Sequence, residues 1–189
     1  MTNKSSDSLN FALAAIDPGT VTLGLSIGII NIDTELFVET HTRTINANIL
    51  VRGKLIPITE ATIEQRLAVI KQELLNSFNQ YQPIAVASES AFFNRFRPNA
   101  FKPLLQTIVT TMNALEEYNQ SKTMHFFDTP NVKIAVGAKG NAKKEEVRIK
   151  VQGLIKDGFF GVINESLIDE HGYDSLGVLR ALYRKLKNA

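Results

Sequence analysis

Apolar and polar positions follow two different periods along this chain, and the change of period divides it. Residues 11–16, Phe-Ala-Leu-Ala-Ala-Ile, form an unbroken apolar run stopped by Asp17-Pro18-Gly19, the pattern of a buried strand ending in a turn. Residues 21–30 predict a second strand. Residues 35–45 alternate through Leu36, Val38, Thr40, Thr42 and Thr44 and predict a third. Three strands in succession with short turns predict an antiparallel meander. The stretch 46–58 holds Arg52-Gly53-Lys54 between apolar runs and predicts a loop or small hairpin. From Thr59 the period lengthens: Ile63, Leu67, Ile70, Leu74 and Phe78 recur at helical spacing, with Thr59 or Thr62 as the cap. Residues 84–88 predict a short buried strand, and 92–101 an aromatic, basic loop or helix entry. A helix over 102–118 is expected to turn Leu104, Leu105, Ile108, Met112 and Leu115 inward. A strand at 123–128 leads to a turn at Thr129-Pro130, then a short helical piece at 132–136 and a glycine-containing loop at 137–142. A helix over 143–156 carries the stripe Val147, Val151, Leu154 and Ile155. The last helix, 171–187, carries Leu176, Leu179, Leu182, Tyr183 and Leu186. Strands that come first as a meander and then alternate with helices predict an α/β fold, with parallel strands in the later part of one mixed sheet. Residues 1–10 read as a disordered tail and 11–189 as a single domain.

Composition narrows the class. The chain has 189 residues, 44% hydrophobic and 21% charged, enough for a globular core. No apolar run approaches the roughly 18 residues that span a bilayer, and the polar start Met-Thr-Asn-Lys lacks a signal-peptide core, so a cytoplasmic protein with no membrane partner is expected. The absence of cysteine excludes disulfides, thiolate metal sites and a cysteine nucleophile. The net charge of +2 is unevenly spread: residues 1–92 hold six Lys/Arg against nine Asp/Glu, and residues 93–189 hold fifteen against ten. A basic second half points towards a polyanionic partner, although a solvated surface would look the same.

Carboxylates mark where chemistry could sit. Asp17 ends the first predicted strand and Glu89 ends the fourth; sites in open α/β sheets gather beyond strand ends. His171 and Asp174 start the last helix, and their i, i+3 spacing puts them on one face, with Glu170 near it. Such oxygen and nitrogen ligands from separate elements suit Mg²⁺ or Mn²⁺. Two such ions roughly 4 Å apart would clamp the attacking and leaving oxygens of a phosphodiester. Each residue also has a plain structural reading: Asp-Pro-Gly is a common turn, Glu89 could cap the next helix, and Asp174 suits a helix N-terminus.

The order of these motifs resembles the RuvC family of Holliday-junction resolvases. The resemblance runs from Ile16-Asp17-Pro18-Gly19-Thr20 and Leu23-Gly24-Leu25, through Tyr81-Gln82-Pro83 and Glu89-Ser90-Ala91-Phe92, to Val132-Lys133-Ile134-Ala135-Val136-Gly137, Lys144 and the closing His171 and Asp174-Ser175-Leu176. It implies a ribonuclease-H-like fold with helices on both faces of the mixed sheet, a homodimer, and paired metal-dependent nicks across a four-way DNA junction in recombination, repair or replication. It implies two Mg²⁺ or Mn²⁺ ions per site held by Asp17, Glu89, His171 and Asp174. His171 stands where family members carry either Asp or His, and Asp169 or Glu170 could supply a carboxylate there by a small register shift. Lys133 and Lys144 match the family's functional lysines, which would stabilise charge on the cleaved phosphate. Phe92 matches a base-stacking aromatic, with Phe93 and Phe96 as competitors. Arg95, Arg97, Lys102, Lys139 and Lys143 would contact DNA phosphates. Residues 46–58 and 157–168 are longer than in the bacterial members, as in phage, poxviral or mitochondrial variants, and the setting implied is the cytoplasm, a nucleoid or a viral replication site. The helix over 102–118 is the expected dimer surface, because Thr107, Thr110 and Thr111 leave its sides neutral.

Rival readings keep the fold and change the substrate to RNA, flaps or Y-forks, or keep branched-DNA binding without catalysis. The latter would need a broken ligand set, and every position here holds a capable ligand. A sugar-kinase-like or actin-like ATPase would need a second similar domain, for which 189 residues leave no room.

Overall fold

The computed structural model describes residues 9–47, 49–51, 54–56, 60–91 and 98–188. Its centre is a five-stranded sheet. Strands β1 (Asn10–Asp17), β2 (Thr22–Asn31) and β3 (Phe37–Asn46) form the expected antiparallel meander. A small hairpin, β4 (Ile49–Val51) and β5 (Lys54–Ile56), follows separately. After helix α1 (Ile63–Tyr81), strand β6 (Ala85–Glu89) lies parallel to β1. After helix α2 (Pro98–Tyr118), strand β7 (Met124–Phe127) lies parallel to β6, giving the order β3-β2-β1-β6-β7. Helices α3 (Thr129–Ala135), α4 (Lys144–Lys156) and α5 (Glu170–Lys187) complete the chain.

Alternation along β1 builds the two layers, since successive side chains in a strand point to opposite faces. Leu13 and Ala15 join a core with α3, α4 and α5 through Val132, Val147, Val151, Leu176 and Leu179. Ala12, Ala14 and Ile16 join another with α1 and α2 through Ile70, Leu74, Phe78, Ala114 and Leu115. Helices on both faces explain why the central strands are apolar throughout rather than half polar.

Several elements differ from the pattern-based expectation. Thr62, one of the two expected caps, caps α1 in a capping box with Gln65, while Thr59 lies outside the described residues. Helix α2 starts at Pro98, four residues early, with Pro103 inside it. It buries Thr107, Ile108, Thr111, Ala114 and Leu115, while Leu105 and Met112, expected inward, are 44% and 45% exposed. Thr107 and Thr111 can face the core because their hydroxyls donate to the helix's own carbonyls at Pro103 and Thr107. Of the three threonines expected to give this helix a neutral side for a dimer, Thr107 and Thr111 are thus in the core, and Thr110 alone is partly exposed. Leu186 is half-exposed rather than inward. Thr129-Pro130 opens a helix instead of a turn, with Pro in its first turn, where its missing N–H costs nothing. Strand β1 begins at Asn10, inside the expected tail. The 157–168 stretch is anchored by Val162 pairing with β3 and by a 3-10 turn at Glu165–Leu167. Phe159 and Phe160 stack around Phe37 there, an aromatic cluster the sequence reading had not found. Among the described residues, no helix is long and apolar enough to cross a membrane.

Candidate active site

Register brings the two strand-end carboxylates together. Strands β1 and β6 are parallel neighbours, with Leu13 opposite Ala85 and Ala15 opposite Ala87. Continuing that phase, Asp17 and Glu89 end adjacent strands on the face that α5 covers. Helix α5 can reach that edge because β2 offers it a channel of small side chains. Gly24 pairs with Asp17 across the sheet, and a Cβ on Gly24 would lie 2.2 Å from the carbonyl oxygen of His171. Next along the same face, Ser26 Oγ lies 2.7 Å from Ser175 Oγ, and a Cβ on Gly28 would strike the Phe37 ring and approach Leu179. A glycine inside a strand marks such close approach. The first two turns of α5 are thereby laid across the sheet end, and they carry His171 and Asp174.

The side chains interlock there. His171 Nδ1 is 2.9 Å from Asp17 Oδ2, and His171 Nε2 is 2.7 Å from Thr22 Oγ1. Lys144 Nζ is 2.7 Å from Asp174 Oδ2 and also donates to Glu170 Oε1. Thr129 Oγ1 donates to Glu89 Oε1. Lys133 Nζ donates to the Ala142 carbonyl at 2.7 Å, tying α3 to the loop before α4. Glu89, Thr129, Lys133, Lys144 and Asp174 line one open cleft, floored by Val132 and Val147.

Charge crowding shows in the ionisation. Burial raises the pKa of Glu89, and the charges of Asp17 and Asp174 raise it further, against the Thr129 hydrogen bond. Burial likewise raises Asp174, with Asp17 adding to it and the Lys144 hydrogen bond opposing. The bond to Asp17 raises His171, against burial. Burial pulls the Lys144 ammonium down, but its bonds to Asp174 and Glu170 outweigh that and raise it. Crowded carboxylates in a partly dry cleft are the charge pattern that a divalent cation relieves, and three carboxylates with one imidazole make a suitable hard donor set. Among the described residues no three of these groups converge, as they stand, closely enough to grip one ion. Asp174 faces an ammonium, Asp17 an imidazole and Glu89 a hydroxyl, so each would exchange a present partner for the metal.

Of the residues singled out in the sequence, Asp17, Glu89, His171, Asp174, Lys133 and Lys144 thus gather at one sheet end. Asp169 does not join them. It caps α5, accepting from the Gly172 N–H and from Thr44 Oγ1, and those bonds hold its pKa down against burial. Glu170 is engaged by Lys144 at the exposed rim. Lys139 and Lys143 are exposed between α3 and α4, and Lys102 is exposed on the first turns of α2. Phe92, Arg95 and Arg97, with Phe93 and Phe96, lie outside the described residues. Thr22 and Thr129 touch the site and were missed; nothing in a lone threonine distinguishes it before its neighbours are known.

Comparison with known proteins decides the family. Residues 13–157 match the model of "Crossover junction endodeoxyribonuclease RuvC". The chain belongs to the RuvC family. Curated relatives named for that activity include a Dehalococcoides mccartyi protein, 30% identical over 145 residues that cover 76% of this chain and 77% of the relative. A Thermus thermophilus relative is 26% identical over 144 residues, 76% of this chain and 79% of its own. In fold, the chain is similar to T. thermophilus RuvC in complex with a Holliday junction substrate (TM-score 0.69, 20% identity, 94% of this chain and 96% of that one). It is also similar to the yeast mitochondrial Holliday junction resolvase Ydc2 (TM-score 0.64, 15% identity, 93% and 80%). The mixed sheet is therefore the ribonuclease-H-like arrangement of these resolvases. The family match ends at residue 157, ahead of α5, so the approach of His171 and Asp174 to Asp17 is contributed by the three-dimensional structure. Membership in this nuclease family implies dependence on a divalent metal ion.

Proposed function

We propose that the chain from Asn10 onward forms one nuclease domain that resolves four-way DNA junctions by paired, symmetric phosphodiester nicks, as a homodimer, in recombination, repair or replication. The observation that supports it most is the gathering of Asp17, Glu89, His171 and Asp174 at one sheet end beside Lys144, in a chain of the RuvC family.

Asp17, Glu89, His171 and Asp174 are the residues that would hold Mg²⁺ or Mn²⁺, two per site. Bound there, the ions would supply an activated water and stabilise the leaving oxygen. Imidazole is softer than carboxylate, which favours activity with Mn²⁺ besides Mg²⁺. Thr129 steadies the Glu89 carboxylate. Lys144, held at the cleft by Asp174 and Glu170, brings an ammonium to the phosphate as its charge grows. Lys133 anchors the loop that leads into α4, with Lys139 and Lys143 on it as phosphate contacts. Lys102, Arg95 and Arg97 would extend that backbone contact, and Phe92 would stack on an unpaired base. Leu105, Val109 and Met112 form an exposed apolar stripe on α2 and are the surface we assign to the dimer. A site of action where DNA is handled, cytoplasm, nucleoid or viral replication site, follows from that substrate.

The test is nicking of a mobile four-way junction in Mg²⁺ and in Mn²⁺, with linear duplex and single-stranded RNA as competitors and Asp17→Asn alongside. Paired symmetric nicks that need metal and vanish in the variant are the expected result. Cutting of RNA alone, junction binding without cutting, or nicking at the parental rate by Asp17→Asn would each overturn the proposal.

A further inference from the structure

Thr22 opens β2, and its half-buried side chain closes the back of His171. The imidazole is held at both nitrogens: Nδ1 faces Asp17 Oδ2 at 2.9 Å, and Nε2 faces Thr22 Oγ1 at 2.7 Å. Nδ1 therefore looks into the carboxylate cluster and Nε2 looks away from it, towards β2. A ring nitrogen binds a metal only with a bare lone pair, so ligation through Nδ1 requires the ring proton on Nε2. In that form Thr22 Oγ1 accepts the Nε2–H. When Nδ1 instead carries the proton and donates it to Asp17, the Thr22 hydroxyl can donate to the bare Nε2. A hydroxyl both donates and accepts, so this one residue keeps the ring in place in both forms. A carboxylate at 22 could only accept, and an aliphatic residue could do neither.

We infer that Thr22 is a positioning residue that fixes the orientation of His171 and presents its Nδ1 to the metal site. The inference rests on the proposed role of His171 as a metal ligand. Histidine ligands are generally held by a hydrogen bond at their second nitrogen, and loss of that bond costs roughly 10–100-fold in metal affinity.

The experiment compares the full chain with Thr22→Val, Thr22→Ser and His171→Ala, without DNA. Mn²⁺ affinity is titrated by electron paramagnetic resonance. The ring nitrogens of the metal-free proteins are followed by long-range ¹H–¹⁵N correlation; the chain has 3 histidines, and His171→Ala identifies the relevant signals. Thr22→Val is expected to weaken Mn²⁺ binding about 10–100-fold and to shift the His171 ring signals, while Thr22→Ser restores both. If Thr22→Val misfolds by circular dichroism, Thr22→Ala takes its place in both measurements. Parental Mn²⁺ affinity in the threonine variant, with His171→Ala weakened, overturns the inference and leaves the site reading intact. Parental affinity in His171→Ala overturns the ligand role itself, and this inference with it.

Discussion

At Glu89, burial and neighbouring negative charge push the same way, and both raise the carboxyl's pKa. A group whose folded pKa lies above its unfolded value binds protons more tightly when folded. Its contribution is complete below the unfolded value and is lost as pH rises through the folded one. His171 acts in the same sense over a higher window, beginning above its ordinary 6.5. In metal-free protein, Glu89→Gln is therefore expected to raise the urea midpoint at pH 7–8, because a neutral amide that still accepts from Thr129 replaces a repelled charge. The gain should shrink to nothing as pH falls below the ordinary glutamate value of 4.5. Equal midpoints for variant and parent across the pH range would refute this account of the cleft. Lys144 makes a different prediction. Its ammonium is the cation bonded to Asp174, so Lys144→Ala should lower single-turnover nicking by about 10²–10³-fold while junction binding persists. Loss of binding in step with loss of nicking would show that it only holds the backbone.

At the scale of elements, the contact between α5 and β2 matters most. Gly24, Ser26 and Gly28 lie at every second position of β2, and over them pass the first turns of α5. Thr42 and Ser175 each hydrogen-bond to Ser26, and Ser175 donates to the Gly172 carbonyl, so these hydroxyls in the channel are paired. Gly24→Ala puts a methyl against helix backbone, which cannot rotate away as a side chain can. The expected cost is roughly 1–3 kcal/mol, as for overpacking elsewhere, measured by urea unfolding. A larger effect on nicking than on stability should accompany it, since α5 would lift away with His171 and Asp174. Unaltered nicking in Gly24→Ala would mean that the helix tolerates a shift at the site.

At the scale of the whole molecule, α2 presents Leu105, Val109 and Met112 to the exterior, the middle one 48% exposed. Val109→Glu should leave the folded protomer intact, within about 0.5 kcal/mol, as for a surface substitution. It should convert the protein to a monomer in sedimentation and reduce paired cutting to single nicks. Unchanged sedimentation would move the dimer surface elsewhere. The sequence by itself determined the strand that ends at Asp17 and the strand that ends at Glu89. Uninterrupted apolar runs closed by a turn signal have few other solutions, and side-chain alternation fixes which face each end residue takes. It also determined the helix that starts at the His171–Asp174 pair, because 3.6-residue periodicity is a local property. Local pattern did not decide which face α2 turns inward: Thr107 and Thr111 look polar in sequence but satisfy themselves within the helix, and two leucine-class positions were left outside. Nor could it decide that Asp169 is a cap rather than a ligand, or that Thr22 lies behind His171. The Thr44–Asp169 and Thr22–His171 hydrogen bonds join residues 125 and 149 positions apart, where the start of α5 meets β3 and β2, and only the packed tertiary structure brings them together.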